Sequence, residues 1–276
     1  MKHYNSLDFN LYQGDCLDIL KEIPDNSVDL IFADPPYFLS NGGISCRAGK
    51  MVSVNKADWD KSNGMNKDFE FTFSWLSECR RVLKNTGSIW ISGTMHNIYQ
   101  VGYALQMQNY QILNEICWYK PNAPPNLSCR YFTHSHETLI WARKEKESKH
   151  KFNYELMKKW DDKISESGKQ MRSVWNIPLT PQQEKKLGKH PTQKPLELLK
   201  RIILSTTDKG DTVLDPFNGS GTTGLVSRMY SRKYIGIDLD KKYLDLTIKR
   251  INALNTKTID QNITHPTLFV NKSITI

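Results

Sequence analysis

The sequence predicts a doubly wound α/β fold with a mostly parallel sheet. Short apolar runs recur along the chain. Two of these runs, 29–37 (DLIFADPPY) and 211–224 (DTVLDPFNGSGTTG), end in an acid followed by proline. Such runs are typical of buried parallel strands, and ligands bind at the carboxyl ends of those strands. We therefore expect the two acidic turns to line one cleft.

The composition indicates a globular protein with a polyanionic partner. Of the 276 residues, 38% are hydrophobic and 24% are charged, and the formal net charge is +9. No apolar run reaches about 18 residues and the N-terminus lacks a signal-peptide pattern, so we expect no membrane helix and no secretion. The five cysteines are scattered without C-x-x-C spacing, which favours reduced thiols in a cytoplasm over disulfides or a zinc site.

The first third of the chain predicts strands at 10–14 and 29–33, separated by a helix over 17–23. Residues 38–67 are polar and show no helical period. Because this segment leaves directly from an acidic turn, we expect a mobile loop that faces the ligand. Within it, residues 58–60 (DWD) could latch the cleft or supply an anchoring tryptophan.

The middle of the chain alternates between helical and strand patterns. Apolar residues recur at helical spacing from 69 to 83, which predicts a core helix that ends with a C-cap at 85–87. Strand 88–92, a helix over 98–105, strand 112–120 and strand 137–142 follow, and the alternation predicts a parallel sheet. The irregular stretch at 121–136 contains arginine, tyrosine and histidine, which could contact phosphates or bases. Cys129, His134 and His136 lack a fourth ligand at finger spacing, so we expect no metal site there.

The turn at 215–224 has the composition of a cofactor loop. Residues 219–224 match G-x-G-x-x-G, in which glycines permit positive φ and the next helix directs N–H groups at a ligand. Asp215 sets a carboxylate where the pyrophosphate of a dinucleotide would lie, and like charges repel. S-adenosylmethionine, which carries an ammonium and a sulfonium group and no phosphate, fits better. A later strand, 234–237, ends at Asp238, which is placed to accept ribose hydroxyls.

The turn at 34–37 has the groups needed to hold an exocyclic amine. Asp34 supplies a carboxylate, Pro35 and Pro36 stiffen the neighbouring carbonyl, and Tyr37 supplies an aromatic face. A planar amine requires two acceptors and a surface for stacking. The structural alternative is a proline turn beside a core tyrosine.

Together these motifs resemble the amino-group DNA methyltransferases, which modify adenine N6 or cytosine N4. The catalytic motif precedes the cofactor loop, an order similar to the circularly permuted β group of that family. The resemblance covers about residues 11–254. The segments FADPPYFLSNGG, APPNLSCRYFTHS, ETLIWARK and GKHPTQKP are similar to DpnA-type adenine enzymes that modify GATC.

The resemblance implies a DNA adenine N6-methyltransferase that uses S-adenosyl-L-methionine. Cytosine N4 modification, a NAD-dependent oxidoreductase and an inactive DNA-binding protein are the alternatives. The catalytic residues implied are Asp34, Pro35, Pro36 and Tyr37, with Tyr37 stacking on a flipped adenine. The cofactor-binding residues implied are Asp15, Cys16, Asp34, His190, Thr192, Lys194, Asp215, Phe217, Asn218, Gly219, Ser220, Gly221, Thr222 and Asp238.

Two pairs within this set have specific expected roles. Asp15 and Cys16 are expected at the adenine of the cofactor, although Asp15 could also be a simple N-cap. Thr192 and Lys194 are expected beside the methionine carboxylate, which they suit by hydrogen bonding and charge.

The predicted organisation has four parts: a catalytic part at 1–142, a target-recognition region at 143–189, a cofactor-binding part at 190–254 and a tail at 255–276 without functional signal. Residues 143–189 contain 13 Lys and Arg against 7 Asp and Glu, a net charge of +6. We expect this block to bind DNA, with a solvated charged face as the alternative. Double-stranded DNA is the expected partner; single-stranded DNA, a homodimer and a restriction endonuclease of the same site are left open.

Overall fold

The computed structural model describes residues 2–39, 43–47, 50–54, 60–126, 129–160 and 168–254. The strands are β1 Lys2–Ser6, β2 Phe9–Gln13, β3 Val28–Ala33, β4 Gly43–Arg47, β5 Lys50–Val54, β6 Leu83–Gly93, β7 Gln111–Tyr119, β8 His136–Arg143, β9 Val174–Asn176, β10 Thr212–Asp215 and β11 Lys233–Asp238. The helices are α1 Cys16–Glu22, α2 Met65–Val82, α3 Ile98–Met107, α4 Tyr154–Lys158, α5 Leu196–Thr206, α6 Thr222–Met229 and α7 Lys241–Asn252, with a short 3-10 helix at Gln182–Lys185.

Nine of these strands form one sheet in the order β1-β2-β11-β10-β3-β6-β8-β7-β9. The central pairs from β2 to β6 are parallel, as is β7 with β9, whereas β1–β2, β6–β8 and β7–β8 are antiparallel. The prediction of a doubly wound, mostly parallel sheet is therefore confirmed. The late strands β10 and β11 lie between the early strands β2 and β3, which brings the two acidic turns to one edge.

Strand β3 lies between two hydrophobic cores. Leu30 and Phe32 point into the core beneath α5, α6 and α7, and Ile31 and Ala33 point into the core beneath α1, α2 and α3. Side chains alternate between the faces of a strand, so a strand covered on both faces reads as a continuous apolar run. This arrangement explains the sequence pattern of β3. It also fixes the position at which the predicted catalytic turn, residues 34–37, begins.

The expected loop at 38–67 is only partly irregular. Its backbone contains the antiparallel hairpin β4–β5, and α2 begins at Met65, four residues before the predicted start. The two strand segments, GISCR and KMVSV, are short. The polar residues around them hid the alternation that is typical of strands, so no strand was predicted there. Residues 55–59, including the predicted tryptophan anchor at 59, lie outside the described residues, as does the tail at 255–276.

The predicted C-cap at 85–87 is wrong. Helix α2 ends at Val82 and the chain continues at once into β6, because Leu83 pairs with Val28 of β3. Gly87 does not cap a helix. A Cβ at position 87 would lie 2.7 Å from the backbone oxygen of Asp29. The glycine therefore allows two strands to approach closely, and its backbone does not need a positive φ.

Part of the basic interval 143–189 packs into the main sheet. Strand β9 pairs with β7, and Trp160 and Trp175 are buried in the core. Phe152 and Tyr154 remain partly exposed.

Among the helices within the described ranges, none is both long and apolar enough to cross a membrane. The division into four parts stays a prediction.

Candidate functional site

A cavity of about 330 Å³ opens where β2, β3, β10 and β11 end. This volume lies within the range of small-molecule sites. The predicted site residues that line it are Asp15, Cys16, Asp34, Pro36, His190, Thr192, Lys194, Asp215, Phe217, Asn218, Gly219, Ser220, Thr222 and Asp238. Pro35, Tyr37 and Gly221 do not line it. The cavity also borders side chains that the sequence did not single out, among them Phe71, Asp68 and Tyr243.

The glycine loop adopts the backbone that its sequence predicts. Gly219 and Gly221 have φ of +51° and +71°, and α6 begins directly after Gly221. A Cβ at Gly221 would collide with Thr247. The side chain of Asn218 donates to the Thr247 hydroxyl at 2.9 Å and accepts from the Tyr234 hydroxyl at 2.9 Å. The contacts of Gly221 and Asn218 with Thr247 and Tyr234 therefore define the conformation of the loop.

Two acids, the buried Asp215 and the half-buried Asp238, hold the ends of this loop. The Asp215 carboxylate accepts from the Thr223 hydroxyl at 2.6 Å and from the Phe217 N–H at 3.0 Å. The Asp238 carboxylate accepts from the N–H groups of Gly219 at 2.7 Å and Asp240 at 2.9 Å.

Burial disfavours the charged forms of these acids. It raises the pKa of Asp215 to about 7, although the two hydrogen bonds oppose the shift. It likewise raises the pKa of Asp238 to about 6. Both carboxyl groups therefore titrate near neutral pH, and a cationic ligand in the cavity would favour their ionised forms.

At the end of β2, which pairs with β11, Asp15 caps α1. Its carboxylate accepts from the Leu17 N–H at 2.8 Å, so the N-cap interpretation is confirmed, and the same residue lines the cavity. Burial, and then the nearby Asp15 charge, raise the pKa of the Cys16 thiol to about 12. Cys16 therefore presents a neutral thiol to the cavity.

The residues before α5 form a third wall. The His190 ring packs edge-on against Tyr243 with ring centres 4.3 Å apart. The N–H and hydroxyl of Thr192 lie 3.3 and 3.2 Å from His190 Nδ1. These contacts fix the imidazole against the glycine loop, where a Cβ at Gly219 would touch it at 3.4 Å.

The predicted catalytic turn, residues 34–37, is held by a network of side chains. Tyr37 is 6% exposed, and its hydroxyl donates to Asp34 Oδ1 at 2.7 Å. The same hydroxyl lies 2.7 Å from Ser92 Oγ and 3.1 Å from Glu137 Oε2. Burial, with the charges of Asp34 and Glu137, raises the pKa of Tyr37 well above its ordinary value, so the phenol stays neutral.

Lys194 lies in this network. Its ammonium group contacts Asp34 Oδ2 at 2.6 Å, the Tyr37 hydroxyl at 3.2 Å and Glu137 Oε2 at 3.4 Å. Burial alone would lower the pKa of Lys194, but the two carboxylates outweigh it and raise the pKa. The recorded contacts of Lys194 are thus with the catalytic turn, whereas the sequence suggested the methionine carboxylate.

Glu137 is the main site residue that sequence reasoning missed. Lys120 lies 2.9 Å from its other oxygen. Burial would raise the pKa of Glu137, but Lys194 and then Lys120 lower it to about 2. A charged residue at the start of the apolar strand ETLIWAR was the available signal, and only the β6–β8 pairing brings it to Tyr37.

The backbone of the turn is latched by Asp60. This side chain is buried and accepts from the N–H groups of Tyr37 at 2.9 Å and Phe38 at 3.0 Å. The Asn97 amide donates to the Pro36 carbonyl at 3.3 Å. Asp60 belongs to the DWD segment proposed as a latch, and it holds the turn itself. Among the described residues there is no group of His, Cys, Asp and Glu that could hold a metal ion.

Comparison with known proteins identifies this arrangement. Residues 28–249 match the family model of the N6/N4 DNA methylases. The chain is 52% identical over 254 residues to the Type II methyltransferase M2.DpnII of Streptococcus pneumoniae, covering 92% of this chain and 93% of that one. It is 50% identical to M2.MboI of Moraxella bovis, covering 90% and 89%.

Solved structures share the fold. M1.HpyAVI, solved as a complex with SAM, is 26% identical with a TM-score of 0.64, covering 88% of this chain and 99% of that one. The cytosine-N4-specific PvuII DNA methyltransferase is 20% identical with a TM-score of 0.69, covering 94% and 92%. The latter likeness concerns the fold alone.

Proposed function

Because this chain belongs to the N6/N4 DNA methylase family, we propose that its reaction is transfer of a methyl group from S-adenosyl-L-methionine to N6 of adenine in DNA. The chain is a methyltransferase, DNA is its substrate and S-adenosyl-L-methionine is its cofactor. The oxidoreductase and inactive-protein alternatives find no support in the family or its relatives. Cytosine N4 remains the competing target.

One observation carries the proposal: the catalytic turn and the glycine loop border the same cavity. They follow the paired strands β3 and β10. Asp34, an acceptor for an amine, therefore lies beside the loop that would hold the methyl donor. Proximity of this kind makes a bimolecular transfer effectively unimolecular.

The cofactor would be held by charge and by backbone donors. The N–H groups at the start of α6 suit its carboxylate, with Thr192 as a further donor. Asp238 would accept the ribose hydroxyls, and Asp15 and Cys16 would border its adenine. When bound, the cofactor supplies a methyl group on a sulfonium, whose positive charge the ionised Asp215 would favour.

The target adenine must leave the base stack to reach this cavity. Asp34 and the Pro35 carbonyl would accept the two amine hydrogens, which directs the nitrogen lone pair at the methyl group. The methyl group would pass from the sulfonium sulfur to the nitrogen and leave a neutral thioether, and the Asp34 carboxylate would accept the proton that the amine releases. Tyr37 would stack on the base. Its ring is buried in the structure, so stacking would require a rearrangement around the turn.

We propose GATC as the recognised sequence, on the resemblance of the catalytic and 121–136 segments to enzymes of that specificity. A palindrome presents the same half-site on each strand, so a monomer could methylate both in turn. Lysines of 143–189 would contact phosphates. We also propose a cytoplasmic enzyme, paired with a restriction endonuclease of the same site as the Type II names of its relatives suggest.

The test is tritiated methyl transfer into duplexes with and without GATC, followed by identification of the product nucleoside. N6-methyladenine in the GATC duplex alone is the expected product. N4-methylcytosine would overturn the choice of base, and no incorporation into any DNA would overturn the function.

A further inference from the structure

The connection between β7 and β8, residues 121–135, is braced at its base. The Lys120 N–H donates to the Ser135 carbonyl at 2.7 Å. The Leu179 N–H donates to the Asn122 side-chain oxygen at 2.9 Å. These contacts close the connection and tie it to the basic interval, so its base has a defined orientation.

The described part of its tip is also internally held. The Asn126 amide donates to the Tyr131 carbonyl at 2.7 Å, and the Asn126 N–H lies 3.3 Å from the Thr133 hydroxyl. The Tyr131 and His134 rings are 5.8 Å apart. Phe132, between them, is 97% exposed. A fixed frame therefore presents a phenyl ring to solvent.

This ring lies on the connection that leads into Glu137. Phe132 is five residues from Glu137, whose carboxylate contacts the Tyr37 hydroxyl at 3.1 Å. Five residues span at most about 18 Å. Phe132 therefore lies within that distance of Glu137, and one bound duplex can contact both regions of the protein.

The neighbours of Phe132 suit nucleic acid. Arg130, Tyr131 and His134 are all exposed. Cationic and aromatic side chains together favour contact with phosphates and bases, and the chain carries a net charge of +9. Apolar wedges of Phe, Leu, Ile or Met are known to enter between base steps.

We propose that Phe132 enters the base stack beside the target adenine and fills the space left by the flipped base. The inference rests on the proposed DNA methylation. It assigns Phe132 to opening and holding the duplex, and Arg130 to phosphate contact. A single strand has no paired stack to open, so the contribution of Phe132 should be specific to duplex DNA.

The experiment compares kcat/KM for a duplex that carries the methylated sequence with kcat/KM for its isolated target strand. Phe132→Ala should lower the duplex value by about tenfold to a hundredfold, the loss expected for one stacking contact, and leave the single-strand value within about twofold. Phe132→Trp, which keeps an aromatic face, should retain most duplex activity. With 2-aminopurine at the target position, the fluorescence increase on binding should be lost in Phe132→Ala.

Leu7→Ala is the matched control. Leu7 is 94% exposed and lies in the β1–β2 turn at the opposite edge of the sheet, so both rates should equal those of the wild type. An equal loss of kcat/KM on both DNA forms, or no loss on the duplex, would overturn the proposal that Phe132 acts as a wedge. Single-strand activity also reports that the variant is folded. A wild-type enzyme inactive on every DNA would instead refute the proposed function, and the wedge with it.

Discussion

The ammonium group of Lys194 lies 2.6 Å from the Asp34 carboxylate, although the two residues are 160 positions apart. Lys194 is 6% exposed, so the pair is shielded from water and its geometry is constrained. This contact connects the segment before α5 to the catalytic turn and suggests that Lys194 orients Asp34.

Lys194→Met should therefore lower kcat by about tenfold to a hundredfold, the range for a charged hydrogen bond, with cofactor affinity changed much less. Lys194→Arg, which keeps the charge, should recover part of the rate. Calorimetry with S-adenosyl-L-methionine and single-turnover rates measure the two quantities. Because loss of one partner of a buried ion pair destabilises proteins, melting curves must accompany them. A loss confined to cofactor affinity would restore the carboxylate-binding role.

Asp34→Ala should abolish methylation and leave cofactor affinity within about tenfold, since its main contacts are proposed with the amine. Filter-bound tritium measures turnover and calorimetry measures affinity. Asp34→Asn is the matched variant, because it preserves shape and removes the charge. Turnover in the alanine variant comparable to that of the wild type would remove Asp34 from the mechanism.

Asp238→Ala should weaken cofactor binding by about 1.5–3 kcal/mol, as expected for a charged hydrogen bond. The same carboxylate accepts from Gly219 N–H, so the loop should also become less ordered. Titration of the cofactor against each protein measures the difference. An unchanged dissociation constant would show that Asp238 does not hold the ribose.

Cofactor affinity should fall as pH is lowered from 8 to 6. Asp215 and Asp238 have pKa values of about 7 and about 6, and the cationic ligand favours their ionised forms. The free energy of unfolding should change in the opposite direction, increasing as pH is lowered. A carboxyl group with a raised pKa stabilises the native state while it is protonated, and that contribution is lost as pH rises from about 4 to 7.

Asp215→Asn separates these effects. It should reduce the pH dependence of affinity between pH 6 and 8 and that of the melting temperature between about pH 4 and 7, because asparagine does not titrate. Melting curves and calorimetry at each pH provide the measurements. An unaltered pH profile in this variant would assign the titration to another group.

Expression in a host without DNA methylation should place N6-methyladenine in GATC. Sequencing that detects modified bases maps the sites directly. Binding to such sites should weaken steeply with salt, because the basic interval would contact phosphates. Methylation at another sequence would contradict the GATC assignment and leave the class of enzyme standing.

The parts of the site that the sequence predicted are those encoded locally. The glycine loop and the turn at 34–37 each follow one apolar run, and their turn chemistry is contained in a few adjacent residues. Gly219 and Gly221 took the positive φ expected of them. A local sequence pattern was therefore sufficient to predict those parts of the site that depend on backbone geometry.

The parts that were missed depend on pairing between distant segments. Glu137 reaches Tyr37 because β8 lies antiparallel to β6. Asp60 was anticipated as part of a latch, but its bonds to the backbone of the turn were not. Gly87 shows the converse error, since a glycine required by close strand packing looks like a helix cap in sequence. No local pattern distinguishes such cases.

The position of β10 and β11 between β2 and β3 has a consequence for biosynthesis. The Thr212 N–H donates to the Asp29 carboxylate from 183 residues further along the chain. At ordinary translation speed, the partners of β2 and β3 emerge about 10 to 40 seconds after them. During that interval both strands expose unpaired edges, which favour association with other chains. The nascent protein therefore depends on other contacts, or on chaperones, until its last strands leave the ribosome.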